Sequence, residues 1–387
     1  MRPRRTIVVG GGIGGMALAA ALQRLGLPCV LLERAPALGE VGSGLGILPG
    51  AVRALETLGV SPALFAQAAP FRRFRVCSSR GEELAEMSFT RVFARAGRPG
   101  YVMHRGALHA ALTACVRADA VRTDAEVVAV AERGGEALVS VRGDPTPIAG
   151  DLVVGADGLR SVVRRWVRGD DPLRYAGETI FRGIADRALD EPDLCREIFG
   201  AGRRTAYYDL GAGRVYWWAT APVPEGTAVP PEARPAYLAD AFAGWPFGVP
   251  ELLARTPADA ILQNDIFDRA PVRRWHRGRA VLLGDAAHPT TPNLGQGACM
   301  ALEDAVVLAR AIAEAADPAD AFTRYHRLRA RRTARTVRLS RLWGRAGLVR
   351  QPALVRLRDG VFRRIPATWL EREALRQYGY DPGTLAG

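Results

Sequence analysis

Thr6-Ile7-Val8-Val9-Gly10-Gly11-Gly12-Ile13-Gly14-Gly15-Met16 is the stretch on which the fold of this 387-residue chain turns. β-branched residues run straight into a turn made almost wholly of glycine, and small apolar residues follow as far as Leu25. This predicts a buried strand over 6–10 and a helix over 16–25, with a second strand over 28–33 that ends on Glu33. In such a βαβ opening one glycine makes the tight turn, one lets backbone approach a pyrophosphate, and one allows close helix packing. Gly10, Gly12, Ile13, Gly14 and Gly15 are therefore read as a dinucleotide cradle. Glu33 stands where a carboxylate bonds ribose hydroxyls, about 20 residues beyond the glycines.

Two distant pieces sharpen this reading: Asp157-Gly158 and Gly284-Asp285. The second would be idle in a protein that only held a nicotinamide dinucleotide. Taken together, the three pieces point to tightly held FAD.

Composition narrows the class. The length favours two domains, and 48% hydrophobic residues suffice for both cores. No apolar run approaches the roughly 18 residues of a membrane span, and the early glycine turn leaves no room ahead of it for a cleaved signal, so a cytoplasmic enzyme is expected. Cys29, Cys77, Cys115, Cys195 and Cys299 show neither disulfide-framework nor zinc spacing, and His104, His109, His276, His288 and His326 form no ligand cluster, so no metal is expected. All 53 basic residues are arginine, which closes Schiff-base, P-loop and other lysine-dependent chemistry.

The net charge of +13 is concentrated in residues 321–364, where fourteen arginines face the single acid Asp359. No aromatic-interleaved basic surface or helix-turn-helix pattern accompanies the run, so nucleic acid is not expected as a partner.

Along the chain, alternating segments around 71–99, hairpin-rich segments over 121–154 and strand-like segments over 174–267 interrupt the helical and buried-strand pattern. The expected fold is α/β. A discontinuous Rossmann-like FAD-binding domain (1–71, 100–171 and 271–320) carries a second, mostly antiparallel β-sheet substrate domain (72–99 and 172–270), and an arginine-rich helical tail follows (321–387). The substrate would lie between the two domains.

The chain resembles the single-component, FAD-dependent aromatic hydroxylases, the group A flavoprotein monooxygenases with the p-hydroxybenzoate hydroxylase fold. The markers are VVGGGIGGMALAAAL from Val8, GSGLGILPGAVRALETLG from Gly42 (which contains Gly46), HRGAL from His104, DLVVGADGLRSVVR from Asp151 and GDAAHPTTPNLGQGACMALEDA from Gly284. The resemblance implies that Glu33 binds the adenosine ribose and Arg34 lies near the adenine. It also implies that Gly46 binds the cofactor, that Arg105 reaches the pyrophosphate or ribityl side and that Asp285 bonds ribityl hydroxyls, with the loop Pro292, Gly295, Gln296, Gly297 and Ala298 close to the flavin ring. Asp157, Arg160 and Arg164 are implied contacts with FAD or with the transient nicotinamide nucleotide, and His288 would orient its loop. A helix starting near Ala298 would turn its positive end toward the ring and favour reduction.

The activity implied is a monooxygenase reaction. NADH or NADPH reduces FAD, O2 gives a C4a-hydroperoxide, and that species hydroxylates or epoxidises an aromatic or conjugated small molecule. The substrate-facing strands would present Ile180, Arg182, Arg204, Tyr208, Tyr216 and Trp218. Arg182 or Arg204 would hold an acidic group or phenolate, and Tyr216 would relay a proton. Arg174-Tyr175-Ala176-Gly177, Ala243-Gly244-Trp245 and Asp265-Ile266-Phe267-Asp268-Arg269 resemble two subgroups, the bacterial urate hydroxylases and the carotenoid epoxidases; the former are similar at Arg204 and Tyr216 but carry an acid where Asn293 stands, which puts urate in doubt.

Two rival readings remain. One is an FAD reductase or desaturase on the same scaffold; the other is a non-catalytic, membrane-associated flavin protein. The arginine-rich tail could touch anionic lipid through Leu339, Leu342 and Trp343, set among Arg335, Arg338, Arg341 and Arg345. A solvated helix packed on the cofactor domain is the favoured expectation, in a monomer or homodimer.

Overall fold

The computed structural model describes residues 5–39, 43–169 and 171–385; Gly42, which opens the second family marker, lies outside the described residues. Thr6–Val9 is the fully buried central strand of a six-stranded sheet, paired in parallel with Leu152–Gly155 on one side and Cys29–Leu32 on the other. Ala280–Leu282 and Val121–Arg122 extend the parallel run, and His276–Arg277 adds an antiparallel edge. Because the chain leaves the first strand to pair on both of its sides, the sheet has a switch point there. The turns after residues 9, 155 and 282 open at that one end, where such sheets bind ligands.

A seven-stranded sheet takes Arg73–Ser78 and Glu83–Ser88 from the first half of the chain and strands between Arg174 and Asp268 from the second. All its pairings are antiparallel except that of Arg73–Ser78 with Leu194–Phe199. Its two faces follow the period of two. Trp217, Phe181, Tyr207 and Ile198 point into a small core shared with the helices Arg234–Ala241 and Val249–Ala254. Ile180, Tyr216 and Trp218 belong to the main core and face the cofactor fold. Trp217 is wholly buried, and its indole N–H donates to Thr256 Oγ1 at 2.7 Å.

Three helices end the chain: Pro318–Gly347, Pro352–Arg364 and Ala367–Tyr378. The first lies on the buried helix Gly297–Glu314 through charge as well as shape. Arg329, fully buried, donates to Asp304 at 2.6 Å and to Glu303 at 2.7 Å. Asp304 also meets His288 Nε2 at 2.6 Å, and although burial pushes its pKa up, His288 and Arg329 hold it well below the carboxylate range. A buried ionic knot thus ties the last third of the chain to the loop beginning at Gly284.

Candidate active site

Gly10 and Gly15 show why the opening turn tolerates no side chain. Gly10 sits at φ +103°, and a Cβ there would lie 2.5 Å from Ala156 O; a Cβ on Gly15 would lie 1.9 Å from Gly10 O. The turn is thereby pressed against the end of the neighbouring strand. Glu33 is drawn in from the second strand: its Oε2 accepts from Gly11 N at 2.6 Å and its Oε1 from Ala35 N at 2.8 Å. Arg34 beside it is exposed. His109, not singled out in the sequence, bonds Gly11 O through Nε2 at 2.7 Å and braces the turn.

One cavity of about 1070 Å³ opens in front of this turn. Gly12, Ile13 and Gly14 form its floor, Gly46 and Arg105 one side, and Asp285, Pro292, Gly295, Gly297 and Ala298 the other. The last two begin the helix Gly297–Glu314, whose positive end therefore looks into the cavity. Asp285 is accessible through the cavity, yet enclosed enough that burial raises its pKa against the pull of His288 and Arg105. Among the described residues its carboxylate makes no hydrogen bond. Gln296 lies behind the loop, 1% exposed, with both amide atoms unpartnered. A carboxylate without a hydrogen bond among the described residues, a glycine turn and a helix N-terminus around one cavity fit a flavin dinucleotide, with polyol hydroxyls for Asp285 and phosphates for the turn.

Asp157 departs from expectation. Its carboxylate accepts from Ser161 Oγ at 2.5 Å, from Val162 N at 2.7 Å and from Val163 N at 3.2 Å, so it caps the helix Val162–Arg168. Ala156 and Gly158, not Asp157, line the cavity. The acid is held by donors that have no intrahelical partner at a helix start. Arg164 is likewise committed: it is 2% exposed, pairs with Asp171 and donates to Ala286 O and Ala287 O at 2.6 and 2.9 Å. Arg160 is exposed above the Phe267 ring.

The wall opposite the cradle comes from the seven-stranded sheet. Ile180, Arg182, Tyr208, Tyr216 and Trp218 line it, as do Phe71, Phe74 and Phe89 from the crossing segment. Tyr208 pairs across strands with Tyr216, and their rings stack at 6.0 Å. Burial raises the Tyr216 pKa while Arg182 and Arg105 pull it down, so the phenol keeps its proton and can donate it. Arg182 donates to Asn264 Oδ1 at 2.5 Å and leaves Nε buried without a partner.

Arg204 does not line this cavity, and the expectation that it meets substrate is corrected. It is fully buried: Nη1 donates to Glu197 at 3.1 Å, and Nη2 to Glu178 at 2.9 Å and to Asn293 Oδ1 at 2.6 Å. Two flanking carboxylates hold the fork, leaving it a positioning role. Glu197, which the sequence reading passed over, does line the cavity, and burial pushes its pKa up to about 7 against the opposing effects of Arg204 and the Trp343 N–H.

The C-terminal helices are also corrected. They do more than rest on the cofactor fold, because Leu339, Leu342 and Trp343 are part of the cavity wall. Arg341 pairs with buried Asp268 and Arg335 with Glu373, while Arg338 and Arg345 are exposed. Among the described residues no helix is long and apolar enough to cross a membrane.

Residues 4–179 and 262–340 match a family model described as FAD binding domain. The chain is 38% identical over 377 residues to the aurachin C monooxygenase/isomerase of Stigmatella aurantiaca, covering 97% of this chain and 98% of that protein. It is 33% identical over 366 residues to the 2-heptyl-3-hydroxy-4(1H)-quinolone synthase of Pseudomonas aeruginosa, covering 93% and 94%. Among solved structures, Klebsiella pneumoniae HpxO complexed with FAD and uric acid superimposes with a TM-score of 0.89 at 28% identity, covering 97% of this chain and 96% of that one.

Proposed function

Since the chain belongs to the FAD-binding-domain family of flavoprotein hydroxylases, we propose that it is an FAD-dependent monooxygenase. It draws electrons from NADH or NADPH and places one oxygen atom of O2 on an electron-rich aromatic or heteroaromatic ring. The observation that carries this reading is the single cavity with two unlike walls: the glycine turn, Asp285 and a helix N-terminus on one side, and an aromatic sheet face with Arg182 and Tyr216 on the other. The relatives' names agree in reaction type, since they describe a monooxygenase and the maker of a hydroxylated quinolone.

The chemistry that a bound flavin supplies is two-electron reduction by nicotinamide and activation of dioxygen toward the substrate. The chain's own groups do the rest. Asp285 and the turn amides hold the dinucleotide, and the N-terminus of Gly297–Glu314 sets a positive potential beside it. Phe71, Phe89, Tyr208 and Trp218 exclude water and clamp a flat ring. Tyr216 donates a hydrogen bond to a ring oxygen, and Arg182 stabilises that oxygen as it gains negative charge. Glu197, poised near neutrality, is the nearby group able to take up a proton.

The test is direct. The purified protein should be yellow with non-covalent FAD, and a panel of phenols and nitrogen heteroaromatics should include compounds that accelerate NAD(P)H oxidation and gain an atom from labelled O2. Accelerated nicotinamide oxidation without label in any product would make it a reductase or desaturase instead.

A further inference from the structure

The cavity does not end at the aromatic wall. Its far part is walled by all three C-terminal helices. Leu354, Leu357 and Val361 of the helix Pro352–Arg364 fall at helical spacing on one face and line it. Leu342 and Trp369 complete the rim. These five side chains remain 47–64% exposed, in a chain whose other large apolar residues are mostly buried.

The two ends of the cavity differ in what they ask of a ligand. At the ring end, Arg182 leaves Nε buried without a partner. In the far part, the buried and half-buried polar side chains are already satisfied, and Arg345 stands exposed at its edge. Glu373 is held by Arg335 and by Gln377 Nε2 at 3.0 Å, Gln377 Oε1 accepts from Thr336 at 2.6 Å, and Arg358 donates to Asp359 at 2.8 Å and to Gly200 O at 2.8 Å. A buried unmet donor at one end and buried polar groups already met at the other describe a ligand with a polar head and an apolar tail.

Resting on the monooxygenase reading above, we propose that the substrate is an aromatic ring carrying a long hydrocarbon chain. The ring sits between Tyr216 and the cradle, and the chain runs between the C-terminal helices to the rim at Leu342, Leu357 and Trp369. Covering this rim with hydrocarbon removes apolar surface from water, so each added methylene strengthens binding until the chain reaches bulk solvent.

The probe is a series of 4-alkylphenols, methyl through nonyl, titrated into the FAD-loaded full-length protein and read by perturbation of the flavin spectrum. Affinity is expected to rise about fourfold per methylene over the part of the series that stays inside the protein. Ala346→Trp, which fills the far part of the cavity, should remove this dependence. Leu357→Arg, at an exposed position where folding is not at risk, should weaken the longest chains more than the short ones. Equal affinity for methyl and nonyl compounds would overturn the proposal, as would flat affinity together with sedimentation of the protein on phosphatidylglycerol vesicles, which would make the rim a lipid surface. Nicotinamide oxidation followed in the same titrations keeps the two readings apart. Affinity that climbs without stimulated oxidation sustains the tail site and counts against the monooxygenase alone.

Discussion

Arg204 Nη2 donates to Asn293 Oδ1 across 2.6 Å, and this bond joins the seven-stranded sheet to the loop that enters the helix Gly297–Glu314. The same asparagine donates to Thr291 Oγ1 and to Ser340 O, both at 2.9 Å, so the long C-terminal helix is drawn into the junction. Three separate parts of the chain therefore meet around the Arg204–Asn293 bond.

Arg204→Met should expose the value of that junction. It leaves Glu178 and Glu197 buried without their shared cation, and removing one partner of a buried pair typically costs about 3–5 kcal/mol. A fall of that size in chemical-denaturation stability is expected, with a smaller one for Arg204→Lys, which keeps the charge and loses the fork. Wild-type stability in the methionine variant would refute the assignment.

Stability should also depend on pH through Glu197. Its carboxyl titrates near 4.5 when unfolded and at about 7 when folded, raised by burial. Between these values the folded state keeps a proton that the unfolded state has released, so this group's contribution is greatest below pH 4.5 and declines as pH rises to about 7. Unfolding curves across that window should slope downward in the wild type and less so in Glu197→Gln; equal slopes would show that the proton resides elsewhere.

Asp285→Asn tests the cofactor grip. Charged hydrogen bonds contribute about 1.5–3 kcal/mol, so FAD should bind roughly 10–100-fold more weakly, read from the flavin retained through dialysis. Unchanged retention would remove Asp285 from the site.

Gly347→Ala sets two effects against each other. Alanine favours a helix by about 1 kcal/mol over glycine, but the new Cβ would lie 2.2 Å from Arg204 Cδ, and overpacking costs about 1–3 kcal/mol. Because Arg204 is pinned by three partners, the clash should prevail and thermal unfolding should shift downward. An upward shift would mean the side chain yields freely.

Much of this was legible in sequence wherever sterics single out a residue type. The glycines of the opening turn could be read because a side chain at Gly10 or Gly15 would strike backbone. Asp157 is engaged at a helix start, where Ser161 is the N-cap and Asp157 accepts from Ser161 Oγ and from Val162 N, a use that the pair Asp157-Gly158 alone does not reveal. Glu197 was passed over as one acid inside the strand Leu194–Phe199, since nothing local reveals that Arg204 and Trp343 will meet it. The C-terminal wall was obscured by composition. Arginines crowd the helices, and only the spacing of Leu354, Leu357 and Val361 marks the face that turns inward.

The glycines of the long helix also decide where this scaffold has slack. At Gly344 a Cβ would fall 2.5 Å from Asn293 Nδ2, as it would fall against Arg204 at Gly347, so backbone there already touches the junction. That side cannot retreat or thicken to suit a different ring. A descendant that accepts a bulkier nucleus must gain its room across the way, by trimming Phe71, Phe89 or Tyr208, and those positions are where selectivity is free to evolve.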